Sequence, residues 1–216
     1  MEKTRASSYW SRHASVYEEG VDYVIGRGLR EAVARRLSRE RDLGILLECG
    51  CGAGYYTCVI APHAASITAT DLSAEMLDLA RNRLAPFGNI LFRRADATSL
   101  PFESLSFDTV LLANILNTVE FPLAILKEAF RVLRYDGLLL AIAYTDHGAS
   151  AEEKTDLALR YFQKFGLPPP WGLHNFSPVD LRSLLVEARF YVRNVILIGS
   201  CPKALFARAF KRLRSD

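Results

Sequence analysis

The stretch ILLECGCGAG, residues 45–54, decides the fold of this chain. Its first residues are mostly apolar, as in a buried strand of a parallel sheet, and glycines follow at positions 50, 52 and 54. A glycine loop between a strand and a helix leaves backbone N–H groups open to a small charged ligand. A tight turn without a ligand would need the same glycines, so the loop alone does not identify a ligand.

Acidic residues at the predicted strand ends narrow the choice of ligand. The loop has the spacing G-x-G-x-G instead of the dinucleotide-binding G-x-G-x-x-G, and Glu48 would repel a pyrophosphate but could hold an α-amino group. Asp71 ends the second strand, where a carboxylate can accept both hydroxyls of a ribose. Asp96 follows the third strand and could accept the exocyclic amine of adenine, with Ala97 offering an N–H. As an isolated residue, Asp96 would more simply cap a turn.

Hydrophobic periodicity predicts an α/β fold with a doubly wound sheet. Short runs of Ile, Leu and Val alternate with segments whose apolar residues have helical spacing, as in repeated βα units on a parallel sheet. Two further strands are expected to form a hairpin at one edge. The five first strands are predicted at residues 45–49, 66–70, 90–94, 107–113 and 138–144, and the hairpin at 191–198 and 204–210.

Helix boundaries follow from capping residues. Ser73 is the predicted N-cap of one helix, Pro122 lies in the first turn of another that is expected to end at Gly137, and Ser177 with Asp180 predicts a capping box. The last of these helices should run to about Ala188. The buried positions predicted for the first two helices are Met76, Leu77, Ala80 and Leu84, then Leu126, Ala129, Phe130 and Leu133.

Length and composition predict one domain over residues 1–216, because a chain of 216 residues that is 50% hydrophobic can bury one large core. Residues 1–41 are expected to form a helical, basic N-terminal cap. Residues 146–176 contain three consecutive prolines and are expected to be an extended insertion over the substrate pocket.

Several protein classes are disfavoured. A net charge of +3 does not by itself indicate DNA, RNA or a membrane, and no apolar run approaches the roughly 20 residues of a membrane span. With no apolar signal segment at the N-terminus, we expect a soluble cytoplasmic protein. Three cysteines at positions 49, 51 and 58 do not resemble a secreted disulfide framework, and we predict no metal site. The sequence does not indicate the oligomeric state.

The C-terminal segment KALFARAFKRLR carries several cations among apolar residues. A solvated edge strand explains this pattern, and contact with an anionic membrane or RNA is the alternative. The cations are Lys203, Arg208, Lys211, Arg212 and Arg214.

Four ordered motifs resemble the class I S-adenosylmethionine-dependent methyltransferases, particularly the small-molecule branch that includes ubiquinone and menaquinone biosynthesis methyltransferases. They are ECGCGAG, TATDLSAEML, ADATSLPFESLSFDTV and EAFRVLRYDGLLLAI, and the resemblance spans nearly the whole chain. It implies a Rossmann-like seven-stranded sheet of order 3-2-1-4-5-7-6 with the last strand antiparallel. It also implies S-adenosylmethionine as cofactor, with S-adenosylhomocysteine as product.

The resemblance assigns individual residues to parts of the cofactor. It places the glycine loop on the methionine part, Asp71 on the ribose, and Asn114 near the sulfonium, while Tyr17 folds over the cofactor although Glu18 replaces the usual Asp. The chain departs from the family pattern at Tyr135 and Asp136, which replace P-G, and at Asn117–Thr118, which replaces a His pair. The implied cofactor residues are Tyr17, Glu48, Gly50, Cys51, Gly52, Asp71, Leu72, Met76, Asp96, Ala97 and Asn114.

The acceptor stays open. No D/N-P-P-Y/F motif follows the fourth strand, which disfavours a nucleobase amine or a glutamine amide and favours a small molecule. Because a sulfonium is already a strong electrophile, the reaction needs mainly alignment and, for some acceptors, a base. Trp171, Phe176 and the prolines could form an apolar wall for a ring compound such as a quinone, although Trp171 could equally pack the insertion onto the sheet. Candidate bases are His13, Tyr144, Asp146, His147 and His174.

Three alternatives stay beside this hypothesis. One is an NAD-dependent oxidoreductase on a similar sheet, which Glu48 and the glycine spacing disfavour. Another is a methyltransferase for RNA or protein. The third is a non-catalytic module that binds S-adenosylmethionine, which cofactor motifs alone do not exclude.

Overall fold

A computed structural model describes residues 2–212, with side chains from residue 8 onward. Seven strands form one sheet in the order β3-β2-β1-β4-β5-β7-β6. β7 is antiparallel to both β5 and β6, and the other neighbours are parallel, which confirms the predicted fold class and strand order. The strands are β1 (Ile45–Cys49), β2 (Ser66–Asp71), β3 (Ile90–Arg94), β4 (Phe107–Ala113), β5 (Leu133–Thr145), β6 (Tyr191–Ile198) and β7 (Lys203–Phe210).

Helices cover both faces of this sheet. Three N-terminal helices occupy most of the predicted helical cap, and short helical turns at Ala14–Val16 and Asp22–Gly26 connect them. A further helical turn, Ala61–His63, leads from the next helix into β2. The helices are α1 (Glu2–His13), α2 (Tyr17–Val21), α3 (Arg27–Leu37), α4 (Tyr55–Ile60), α5 (Ala74–Leu84), α6 (Pro122–Val132), α7 (Ala151–Phe165) and α8 (Pro178–Glu187).

The core has two halves, one on each face of the sheet. Successive residues of a strand point to opposite faces, so Leu46 packs with α3, α4 and α5 while Leu47 packs with α6 and α8. Both leucines are fully buried. Burial on both faces explains why β1 and β4 are almost continuously apolar, and why their predicted bounds are correct.

Capping residues set three helix starts as predicted. Ser73 accepts a hydrogen bond from the N–H of Met76 at 3.2 Å, and Pro122 is in the first turn of α6. Ser177 and Asp180 form a reciprocal capping box, and α8 ends at Glu187.

The predicted C-terminus of α6 is wrong. The helix ends at Val132 instead of Gly137, so Leu133 belongs to β5, where it pairs with Phe107, and Phe130 is only half-buried. Lys211 Nζ donates to the carbonyls of Phe130 at 2.7 Å and Leu133 at 2.8 Å. A side chain about eighty residues away therefore satisfies the carbonyls at the end of this helix.

The predicted extended insertion is largely helical. Within residues 146–176, α7 begins at a capping box in which Ser150 accepts from the N–H of Glu153 at 3.2 Å and Glu153 accepts from the N–H of Ser150 at 2.8 Å. The N-cap signal is present in the sequence, but the charged first turns concealed the apolar face of the helix. Residues 146–150 and 166–176, which include the three prolines, lie outside helices and strands.

Cations of the C-terminal segment have partners within the chain. Lys203 donates to the carbonyl of His147 at 2.9 Å, and Arg208 lies 3.4 Å from Glu40. The guanidinium of Arg212 lies 3.5 Å from the centre of the Tyr191 ring. The predicted cation Arg214 lies outside the described residues. None of the helices in the described part combines the length and apolar character of a membrane span.

Replacing Lys211 with Met should lower the free energy of unfolding by about 1–3 kcal/mol, because buried carbonyls at the end of α6 would lose their donor. Urea denaturation followed by circular dichroism measures the change. Lys127→Met removes the same charge from an exposed position on α6 and should change the free energy by less than about 0.5 kcal/mol. Equal effects of the two substitutions would contradict the capping role of Lys211.

Candidate active site

The glycine loop after β1 is tied to the end of β2. The N–H groups of Gly50 and Cys51 donate to the carbonyl of Thr70 at 2.8 and 2.9 Å, and the N–H of Gly52 donates to Asp71 Oδ2 at 3.0 Å. Gly50, Gly52 and Gly54 have φ of +72°, +52° and +80°, a region that favours glycine. The sharp turn brings the loop backbone to the carboxyl edge of the sheet.

Glu48 is a buried acid beneath this loop. Its side chain is only 1% exposed, and Thr57 Oγ1 donates to Glu48 Oε2 at 2.6 Å. Burial raises the pKa of Glu48 to about 7, and the nearby Asp71 adds to the increase. Glu48 therefore gains or loses its charge near neutral pH.

Arg30 is a buried cation near Glu48 that the sequence analysis did not identify as a site residue. Arg30 is 4% exposed and donates to Glu18 at 2.7 Å and Asp22 at 3.0 Å. Arg30 and Glu48 both line a cavity of about 30 Å³, here called the small cavity. Opposite charges at one cavity are complementary to an ammonium and a carboxylate of the same ligand.

A larger cavity of about 260 Å³, here called the loop cavity, lies at the carboxyl edge of the sheet. Its lining includes nine of the eleven predicted cofactor residues, and the other two, Glu48 and Cys51, line the small cavity. The nine are Tyr17, Gly50, Gly52, Asp71, Leu72, Met76, Asp96, Ala97 and Asn114.

The two acids of the loop cavity also bind backbone N–H groups. Asp71 Oδ1 accepts from the N–H of Ser73 at 2.9 Å, while its other oxygen holds Gly52. Asp96 Oδ1 accepts from the N–H and the hydroxyl of Thr98 at 2.8 and 2.7 Å. Asp96 thus caps a turn, as its simpler interpretation predicts, and lines the cavity as well.

A third cavity of about 350 Å³, here called the α7 cavity, adjoins the loop cavity. One wall comes from the N-terminal helical region and the other from α7, and both are mostly apolar. Tyr17 and Asn114 line all three cavities, so they lie where the cavities meet. The wall residues are Val21, Val24, Ile25, Leu157, Ala158, Tyr161, Phe162 and Phe165, and the polar lining includes Asn117, Tyr144, Thr145, Asp146, Lys154 and His174.

The structure separates the candidate bases. Tyr144, Asp146 and His174 line the α7 cavity, whereas His13 and His147 are absent from the linings of all three cavities. The ring of His13 contacts Tyr9 and Phe165 instead, and His147 is exposed.

The protonation state of Tyr144 argues against its role as a base. Burial raises its pKa well above the ordinary value, and its hydroxyl is hydrogen-bonded to that of Tyr56. Tyr144 is therefore protonated at neutral pH and cannot accept a proton from an acceptor.

The predicted apolar wall is only partly present. Trp171 lines the loop cavity, and its Nε1 donates to the carbonyl of Thr118 at 3.0 Å. It therefore both joins the insertion to the loop after β4 and forms part of the cavity wall. Pro168 lines the α7 cavity, whereas Phe176 packs against the core beside β5 and lines none of the three cavities. Aromatic residues of α7 supply the wall that Phe176 was expected to form.

Two of the four cysteines are core residues in this structure. Cys49 and Cys51 are buried, and burial raises the pKa of both thiols. Within the part of the chain that the structure describes, no three His, Cys, Asp or Glu side chains are grouped as metal ligands would be.

Comparisons with known proteins agree with this geometry. Residues 47–141 match the protein family described as a methyltransferase domain. The chain resembles the N-methyltransferase NodS from Bradyrhizobium japonicum WM9, solved in complex with S-adenosyl-L-homocysteine, with a TM-score of 0.70 and 18% sequence identity over 96% of this chain and 98% of that chain. At this identity the likeness concerns the fold.

Two relatives are more similar in sequence. The chain is 34% identical over 116 residues to a demethylmenaquinone methyltransferase of Tropheryma whipplei (strain Twist), covering 54% of this chain and 48% of the relative. It is 33% identical over 150 residues to a malonyl-[acyl-carrier protein] O-methyltransferase of Laribacter hongkongensis, covering 64% of this chain and 50% of the relative. The chain spans about half the length of the curated relatives it matches.

Asn114 has a φ of +60°, which Asn tolerates better than Ala and Gly tolerates best. We therefore expect Asn114→Ala to be less stable than Asn114→Gly by about 1 kcal/mol, measured by chemical denaturation. At Asn82, an exposed position inside α5, the order should be reversed, with Ala more stable than Gly by about 1 kcal/mol. The same order at both positions would show that Asn114 carries no backbone strain.

Proposed function

We propose that this chain, which carries a class I S-adenosylmethionine-dependent methyltransferase domain, transfers a methyl group to a small apolar ring compound. The cofactor of this domain class is S-adenosylmethionine, which supplies an electrophilic methyl group when bound. The observation that carries the proposal is the pair of opposite buried charges, Glu48 and Arg30, that line the small cavity beside the glycine loop.

The residues present fit this cofactor. In our assignment, Glu48 holds the α-amino group and Arg30 the carboxylate of the methionine part, with Gly50, Cys51 and Gly52 as the backbone beneath it. A side chain at Gly50 would clash with Ile115, which lines the loop cavity, since a Cβ there would lie 2.8 Å from Ile115 Cδ1. The remaining assignments are Asp71 to the ribose, Leu72, Met76, Asp96 and Ala97 to the adenine, and Tyr17 and Asn114 to the region around the sulfonium.

The α7 cavity is the place we assign to the methyl acceptor. It shares Trp10, Tyr17, Asn114 and Thr118 with the loop cavity, so an acceptor there would lie next to the transferable methyl group. In this proposal the helical cap, residues 1–41, and the segment 146–176 enclose the acceptor and exclude water. The apolar walls suit a flat ring, and the name of the Tropheryma whipplei relative makes a quinone-type acceptor the first compound to test.

A carboxylic acid is the second candidate acceptor. Lys154 places a cationic side chain on the lining of the α7 cavity, where it could hold an acid. The name of the Laribacter hongkongensis relative includes O-methylation of a malonyl group, which is a carboxylic acid. Methyl transfer to an acid and not to ring compounds would favour this alternative.

Calorimetric titration tests the cofactor assignment. We expect S-adenosylmethionine and S-adenosylhomocysteine to bind and NADH not to bind. Asp71→Ala should weaken both adenosyl ligands by about 10–100-fold, because a charged hydrogen-bond acceptor is lost. Asp78→Ala removes an exposed acid of α5 and should leave affinity unchanged. Binding of NADH alone would refute the proposal, and adenosyl binding without methyl transfer to any acceptor tested would favour a non-catalytic module.

The pH dependence of S-adenosylhomocysteine binding tests the role of Glu48. Only the carboxylate can hold an ammonium, and the pKa of Glu48 is about 7 in the free protein. Affinity should therefore rise about tenfold between pH 6 and pH 8. Glu48→Gln should bind more weakly at both pH values and lose this dependence. An unchanged slope in the variant would show that another group, such as Asp71, is responsible.

A further inference from the structure

Three successive carbonyls after β4 hold the segment that contains His174. The N–H of His174 donates to the carbonyl of Asn117 at 2.8 Å, and Trp171 Nε1 donates to that of Thr118 at 3.0 Å. His174 Nε2 lies 2.9 Å from the carbonyl of Val119. His174 is thus fixed through its backbone and its ring at the same time.

These contacts define the protonation of the neutral ring. A carbonyl oxygen only accepts hydrogen bonds, so Nε2 carries the hydrogen and Nδ1 has the lone pair. Within residues 8–212, Nδ1 has no hydrogen-bond partner. The ring lies nearly parallel to that of Phe176, with 5.7 Å between their centres, and rotation would break the bond to Val119. The half-buried His174 therefore offers a fixed basic nitrogen at a cavity it lines.

Asn117 holds this arrangement in place. Its Nδ2 donates to the carbonyls of Tyr144 at 2.9 Å and His174 at 2.7 Å, and the side chain is 7% exposed. Two carbonyl acceptors fix the orientation of the amide, because the flipped form would place oxygen against oxygen. Asn117 therefore joins the end of β5, the loop after β4 and the His174 segment.

We propose that His174 is the general base of the α7 cavity, taking a proton through Nδ1 from a hydroxyl group on an aromatic ring, and that Asn117 is its positioning residue. This inference rests on the proposed function and narrows the acceptor to ring-hydroxyl compounds, such as phenols and hydroquinones. An aromatic hydroxyl, with a pKa near 10 as in tyrosine, is within reach of an imidazole base, whereas an aliphatic hydroxyl is far less acidic. The apolar walls of the cavity suit the ring that carries it.

The hydroxyl proton moves to His174 Nδ1, and the electron pair of the resulting anion forms a bond to the methyl carbon. The C–S bond breaks, and its electron pair stays on sulfur, giving neutral S-adenosylhomocysteine. If a ring carbon makes the bond, the hydrogen it carried leaves as a proton and the ring hydroxyl reforms. His174 then releases its proton to solvent.

The other candidate bases of the α7 cavity are less suited to this step. Tyr144 is protonated at neutral pH, as described above. Asp146 is hydrogen-bonded to the side chain of Asn175. His174 lines the cavity and has an Nδ1 atom without a hydrogen-bond partner among residues 8–212.

A chromophoric phenol tests the base without turnover. We would titrate 4-nitrophenol into the protein saturated with S-adenosylhomocysteine, about one pH unit below the pKa of the probe, and record the phenolate absorption band. About one tenth of the probe is ionised in buffer at this pH, and the native protein should raise the phenolate fraction of the bound probe about fivefold. His174→Gln should still bind the probe, but without the band. Exposed His147→Gln should behave like the native protein.

Asn117 is tested with the same probe. Asn117→Ala should reduce the band at saturating probe, and methyl transfer should show a larger loss in kcat than in KM. Added imidazole should partly restore methyl transfer in His174→Ala but not in Asn117→Ala, which retains its histidine.

Distinct results would overturn this inference and the proposed function. If S-adenosylhomocysteine binds but 4-nitrophenol does not, or if the band persists in His174→Gln, the assignment of His174 is wrong while the cofactor assignment holds. If S-adenosylhomocysteine itself does not bind, the proposed function fails.

Discussion

The turn from β1 into α4 depends on backbone that only glycine adopts readily. Three residues within five positions have positive φ, and the loop they form donates N–H groups to the carbonyl of Thr70 and to Asp71 on the neighbouring strand. This contact fixes the loop at the carboxyl edge of the sheet, where parallel strands place their terminal side chains together. Glu48, Asp71 and Asp96 converge on the same region because each of them lies at or just beyond the carboxyl end of one of three adjacent strands.

Burial affects the charge of Arg30 and the charge of Glu48 differently. Arg30 keeps its charge because Glu18 and Asp22 accept hydrogen bonds from it. The hydrogen-bond partner of Glu48 is the neutral Thr57, so no cation balances a charge on the buried carboxylate. The pKa of Glu48 therefore rises, and protonation removes this buried charge. The Glu48 carboxyl can therefore take up a proton near neutral pH. A zwitterionic ligand would bring its own cation to Glu48, and binding and ionisation would then be coupled.

Sequence patterns predicted the elements whose determinants are local. β1, β3, β4 and β6 have the predicted bounds, because buried strands are marked by their own apolar residues and flanking turns. The end of α6 was missed because Lys211 sets it from the far end of the chain. Arg30 was missed for the same reason: a basic helical segment gives no signal that one of its arginines is buried and lines a cavity with Glu48. Only α7 had a local signal, the capping box at Ser150, that was present and overlooked.

The loop cavity and the α7 cavity also differ in how far local sequence determines them. The loop cavity is formed mainly by strand ends and loops within residues 47–141, the part that matches the methyltransferase family. The α7 cavity takes its walls from residues 21–25 and 157–165, which lie outside that match. A family match can therefore describe cofactor binding well and still leave the acceptor open. The apolar walls and His174 are the features that would select an acceptor. Contacts between distant segments hold them in place, such as the hydrogen bonds of His174 with Asn117 and Val119. Under the proposed function, acceptor choice would thus change through those segments without disturbing the sheet and its glycine loop.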